Sequence, residues 1–126
     1  MPRVSTKYNL KDKNVARRRA SLLSLQSDKS KKNFKTICEA IKKDPSAIIR
    51  HEAAFLLGTW KNEDAIAPLI DAVENDSSDL VIHEAIEALG DLGIKNQKIE
   101  KLLANYKNHP EPIISESALV AFMTLN

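Results

Sequence analysis

A self-similarity of 32 residues runs along the chain and decides what it can fold into. His83 follows His51 by that interval, and Gly90 follows Gly58, Leu89 follows Leu57 and Ala85 follows Ala53 in the same register. One step back places Arg19, Ser21 and Leu25 under His51, Ala53 and Leu57. One step forward places Ser115, Glu116, Ser117 and Ala121 under His83, Glu84, Ala85 and Leu89. A second set of apolar residues keeps step. Phe34, Ile37 and Ile41 stand 32 before Ile66, Leu69 and Val73, and one extra residue in the next turn matches Ile66 to Ile99.

Within each unit the apolar residues fall at helical spacing, as in Ile66, Leu69, Ile70 and Val73. Strand signals are nearly absent: there are three glycines, no Asn-Gly or Asp-Gly turn and no sustained alternation. Asp44-Pro45-Ser46, the run Asn75 to Asp79 and the run Asn108 to Pro112 are turn and N-cap chemistry between helices. The expected fold is therefore all-α. Helix pairs over 15–43, 47–75 and 79–107 and a single helix over 112–125 give about three and a half repeats of an α-solenoid. The repeat domain is expected over 14–126, after a loose basic arm over 1–13.

The composition excludes several functions. A net charge of +2 is too weak to argue for nucleic acid. No apolar run approaches the roughly 20 residues that cross a bilayer, and no signal-peptide core is present, so a cytoplasmic protein is expected. Cys38 is the only cysteine, which rules out an intrachain disulfide and a cysteine-based metal site.

The residues with chemical potential are two His-Glu pairs, His51-Glu52 and His83-Glu84, each set in an alanine- and leucine-rich helix. A His-Glu pair on a helix is ordinarily a solvated surface pair, and duplication alone would copy one. Yet the outer repeats lack it, carrying Arg19-Ala20 and Ser115-Glu116. In a solenoid, equivalent positions line up on neighbouring helices about 8–10 Å apart, which brings the two imidazoles to one place. Two histidines and a carboxylate are a ligand set for non-haem iron, with manganese or zinc as alternatives.

The stretches "IIRHEAAFLLG" and "VIHEAIEALG", with "KNEDAIAPLIDAV" between them, resemble the HEAT-like repeats of deoxyhypusine hydroxylase. "RRRASLLSL" resembles that family's first repeat, and "EPIISESALVAF" the ending of one of its halves. The family joins two similar halves of four helix pairs, and four His-Glu pairs hold a di-iron centre. The related bilin lyases share the repeat without regular His-Glu pairs and fit less well. The resemblance implies iron at His51, Glu52, His83 and Glu84, and dioxygen-dependent hydroxylation of a deoxyhypusine side chain on a translation factor. This chain supplies two pairs where the family's centre uses four, so a homodimer holding two irons is expected. In it, His51 and His83 of one chain and Glu52 of the other would bind each iron. Glu84, the one catalytic assignment, would bridge the metals or face a cationic substrate. The alternative function is a metal-free HEAT-repeat adaptor that binds other proteins.

Arg17-Arg18-Arg19 reads as a solvated first helix rather than a contact for RNA or an acidic partner. Cys38 reads as a small core residue, Trp60 as packing over a helix end, and His109 as a surface residue with no partner in register.

Overall fold

The computed structural model describes residues 7–126. Seven helices follow one another: α1 (Val15–Ser24), α2 (Lys31–Lys43), α3 (Ala47–Thr59), α4 (Ile66–Asn75), α5 (Asp79–Leu92), α6 (Gln97–Tyr106) and α7 (Pro112–Leu125), with no strand among the described residues. The helix boundaries follow local chemistry. Asn14, Ser30 and Asn96 cap α1, α2 and α6 by accepting backbone N–H groups with their side chains. Pro112 opens α7, where its missing N–H costs nothing. Gly93 ends α5 in the left-handed conformation at φ 65°, which glycine adopts without strain.

The odd and even helices form two rows. α3 lies against α1 and α5, and α5 against α7, while contact along the even row is sparse. Two glycines set the tight spacing of the odd row. A Cβ on Gly58 would come within 2.8 Å of the Ala88 Cβ, and one on Gly90 within 3.1 Å of the Ala121 Cβ. The core runs continuously between the rows through Leu22, Ile37, Ile49, Leu69, Ile86 and Leu103, all fully buried. Burying a side chain of this size stabilises the fold by about 1.5–3 kcal/mol.

Four expectations need correction. First, the last helix is offset. α5 begins 32 residues after α3, but α7 begins 33 after α5. The pair equivalent to His83-Glu84 is thus Glu116-Ser117, not Ser115-Glu116. The extra residue of the preceding turn carries through to α7. Second, Arg18 is not solvated. It is 5% exposed and makes a two-pronged ion pair with Asp44 at 2.9 and 3.0 Å. Third, residues 7–13 are not all loose. Tyr8 is buried and donates to Asp44 at 2.6 Å. Residues 1–6 of the expected arm lie outside the described residues. Fourth, His109 has counterparts in register, namely Asp44 and Asp76. It accepts the N–H two residues on, from Glu111 at 3.0 Å, as those carboxylates do from Ser46 and Ser78.

Trp60 packs over the end of α3 with its ring 6.2 Å from Phe34. Cys38 is half-buried, and burial pushes its thiol up to about 11.

Candidate metal centre

Two polar ladders cross the repeats side by side. The first is structural. Arg50 repeats Arg18: its Nε and Nη2 donate to Asp76 at 2.9 and 3.2 Å, and its Nη1 donates to the Asp44 carbonyl at 2.9 Å. Arg18 likewise donates to the Asp12 carbonyl at 2.7 Å. Each guanidinium therefore ties the segment before its own helix to the turn before the next odd helix. Burial alone would push the Asp44 carboxyl up. The hydrogen bonds from Arg18, Tyr8 and the Ser46 N–H outweigh it and hold the group below the usual carboxylate range. At Ser46 and Ser78, the cap positions of α3 and α5, no side-chain cap bond forms, and the carboxylate two residues earlier accepts the serine's own backbone N–H.

The second ladder carries the His-Glu pairs, and its rungs run diagonally. Arg19 Nε donates to Glu52 at 2.7 Å. His51 Nε2 meets Glu84 at 2.9 Å. His83 Nδ1 meets the Ser117 hydroxyl at 2.6 Å. In each rung the first residue of one pair reaches the second residue of the next. The two residues within a pair diverge by about 100° on the helix and cannot share a partner easily. The four expected site residues are thus split: His51 and Glu84 are brought together, Glu52 is drawn back to Arg19, and His83 is directed towards α7. Ser117 is a member of this row that the offset register had hidden.

The end of the ladder fixes an imidazole. The Ser117 hydroxyl donates to the Ile113 carbonyl at 2.5 Å, so it accepts from His83 Nδ1–H. With Nδ1–H committed to Ser117, Nε2 is the ring nitrogen left to face Glu87, at 3.4 Å. Burial raises the Glu84 carboxyl above its ordinary value, Glu87 adds to the shift, and His51 opposes it.

Imidazole paired with carboxylate is a donor type that suits non-haem iron, manganese or zinc. A histidine whose other nitrogen is held by a hydrogen bond is also what metal ligation requires. Donor number is what a single chain lacks, because no group of three or more His, Cys, Asp or Glu side chains converges among the described residues. Beside His83, Glu87, Asp91 and Glu116 line a cleft of about 410 Å³ between α5 and α7, with Ile113, Val120 and Ala121 as apolar walls. No helix among the described residues is long and apolar enough to cross a membrane.

A family model of HEAT repeats matches residues 34–122. The deoxyhypusine hydroxylase of Phaeosphaeria nodorum is 40% identical over 79 residues, which are 62% of this chain and 24% of that protein. The deoxyhypusine hydroxylase of Aspergillus fumigatus is 35% identical over 80 residues, again 24% of its length. A structure of human deoxyhypusine hydroxylase in complex with glycerol superposes with a TM-score of 0.79 at 25% identity, covering 92% of this chain and 40% of that one. The matches thus span about a quarter of the length of the curated relatives.

Proposed function

This chain belongs to the HEAT-repeat family, with repeats like those of deoxyhypusine hydroxylase, and on that premise we propose that it is a non-haem di-iron hydroxylase whose centre is completed when two copies pair. The observation that carries this reading is the His83 arrangement. Its Nδ1 is anchored through Ser117 to a backbone carbonyl, and its Nε2 is left facing a carboxylate across 3.4 Å. His51 with Glu84, and His83 with Glu87, each supply an imidazole and a carboxylate. A second copy doubles the set. Iron bound there would supply dioxygen activation for hydroxylating an unactivated C–H bond.

The chain's own residues would do the rest. Glu84, buried in the first half of α5 and 2.9 Å from His51 Nε2, sets the position of the His51 ring. Asp91, one turn beyond Glu87 on α5, offers negative charge to a cationic substrate. The deoxyhypusine side chain of a translation factor has that character. Loading purified, chelator-free protein with ferrous ion tests the reading. About one iron per chain is expected, with most of it lost from His51→Ala and from His83→Ala while helical dichroism is retained. Full iron occupancy in both variants, or none in the wild type, would reject it.

A metal-free adaptor is the second reading. It is favoured by the exposed Ile48, Phe55, Leu80 and Val120, which a partner protein would cover.

A further inference from the structure

Every large hydrophobic that is exposed among the described residues lies on the odd row, on α1, α3, α5 or α7. The even row has none. On the odd row five of the eight fall into register. Ile48, Leu80 and Ile113 occupy equivalent positions and form one stripe. Phe55 and Val120 share a second position about two turns along, which the half-buried Leu23 fills on α1 and the exposed Glu87 on α5. Between the stripes runs a polar line made by the first residue of each pair: Arg19, His51, His83, Glu116. The line is positive at α1 and negative at α7. Arg19 remains half exposed although its Nε is bound to Glu52, and Glu116 is exposed.

We propose that this face docks against the same face of a second copy, about a two-fold axis that lies in the interface, parallel to the helices and between α3 and α5. The proposal rests on the shared-centre reading for the identity of the occupant and deepens it by fixing the orientation. The charge line chooses the axis. With the axis parallel to the helices, α1 of one copy lies over α7 of the other. Arg19 then meets the partner's Glu116 twice, once at each end, and His51 lies over the partner's His83. The height along the helices is preserved, so equivalent positions meet: Ile48 opposes the partner's Leu80, Leu23 opposes the partner's Val120, and Phe55 lies over the partner's Glu87. With the axis perpendicular to the helices, α1 would lie over α1. Arg19 would then face the partner's Arg19 and Glu116 the partner's Glu116, and such like-charge juxtaposition is strongly disfavoured.

The whole array is polarised in the same sense. Residues 1–50 hold fourteen of the nineteen Lys and Arg and four of the seventeen Asp and Glu, a net +10, against −8 for residues 51–126. Antiparallel arrays therefore attract along their length, and the attraction falls with salt. An apolar border around a polar line is also the composition of a face that associates, rather than one that stays in water.

Sedimentation equilibrium of the full chain in chelator tests the docking apart from the metal. The wild type is expected to dimerise at low ionic strength and to weaken as salt rises. Arg19→Glu or Glu116→Arg should each weaken the dimer by about tenfold or more, because each places like charges at both ends. The two substitutions in one chain should restore it, since the antiparallel axis reunites opposite charges while the other axis does not. Leu80→Glu, which touches no charge pair, should also dissociate the dimer with helical dichroism unchanged. A wild type that stays monomeric at low salt, or a double variant no tighter than the singles, overturns the proposal. Iron uptake is read separately: association without iron removes the metal reading alone, and iron bound by a monomer removes the docking alone.

Discussion

The two polar ladders differ in how completely they are satisfied. Arg18–Asp44 and Arg50–Asp76 are two-pronged, and the Arg18–Asp44 pair is almost wholly buried. Backbone carbonyls and N–H groups take up their remaining capacity. The neighbouring line through His51 and His83 is partly open. Its rungs are single bonds, and His83 Nε2 sits opposite Glu87 without good hydrogen-bond distance. A saturated network has nothing left to bind with and serves to hold turns in place. A network with spare lone pairs at half-exposed positions costs stability unless something else completes it. Repetition alone therefore does not identify function, since both ladders repeat and only the second leaves side chains open.

The sharpest way to break the comparison is Asp44→Ala. It leaves the Arg18 guanidinium buried without its carboxylate, and a loss of about 3–5 kcal/mol is expected from urea unfolding. Asp76→Ala should cost less, because Arg50 is more exposed than Arg18. Equal losses would remove the distinction between the two pairs.

Next in size is the glycine spacing. Gly58→Ala puts a methyl 2.8 Å from Ala88, and Gly90→Ala puts one 3.1 Å from Ala121. About 1–3 kcal/mol of overpacking is expected at Gly58 and less at Gly90. Thermal melts of the two variants give the order.

Acid titration separates the ladders further. The Asp44 carboxyl is depressed in the folded state. Its contribution is fully present above the unfolded carboxylate value, near pH 4, and is lost as pH falls through the folded value. The stability difference between wild type and Asp44→Asn should be constant near neutrality and shrink below about pH 4. A difference that does not change with pH would mean that the carboxylate charge plays no part.

The smallest effect on stability is expected in the His line. Ser117→Ala should change folding free energy by about 1 kcal/mol, the worth of an ordinary hydrogen bond. The same change frees the His83 ring and should weaken metal affinity about 10–100-fold. Unchanged affinity would leave Ser117 with a packing role only.

The repeat made the fold legible. A fixed interval with helical spacing inside it leaves little freedom, and the turn residues placed the helix ends within a residue or two. The His-Glu positions were legible as positions but not as partners. Which residue a side chain meets across a layer depends on the stagger between neighbouring helices, and no interval along one chain reports that. Glu52 and Arg19 are 33 apart, as are His51 and Glu84. The one-residue offset at α7 was visible in the second helices but had to be carried forward to reveal Ser117. Arg18 was hidden for a different reason. Three consecutive arginines look alike in a sequence, whereas on a helix they point in three directions, one of them inward. Tyr8 lay in a stretch without periodicity, and its burial depends on a carboxylate 36 residues away.

The diagonal rungs bear on inheritance. Each rung spans one repeat boundary, so no repeat owns both halves of an interaction. Excising residues 47–78 as a unit would bring α5 into the place of α3 and set Arg19 against Glu84, which is again a cation on a carboxylate. Inserting a further copy of that unit would add another histidine with a glutamate waiting for it. A gene built this way can lose or gain whole units by unequal exchange without leaving a charge stranded, and the number of imidazoles on the line changes by one each time.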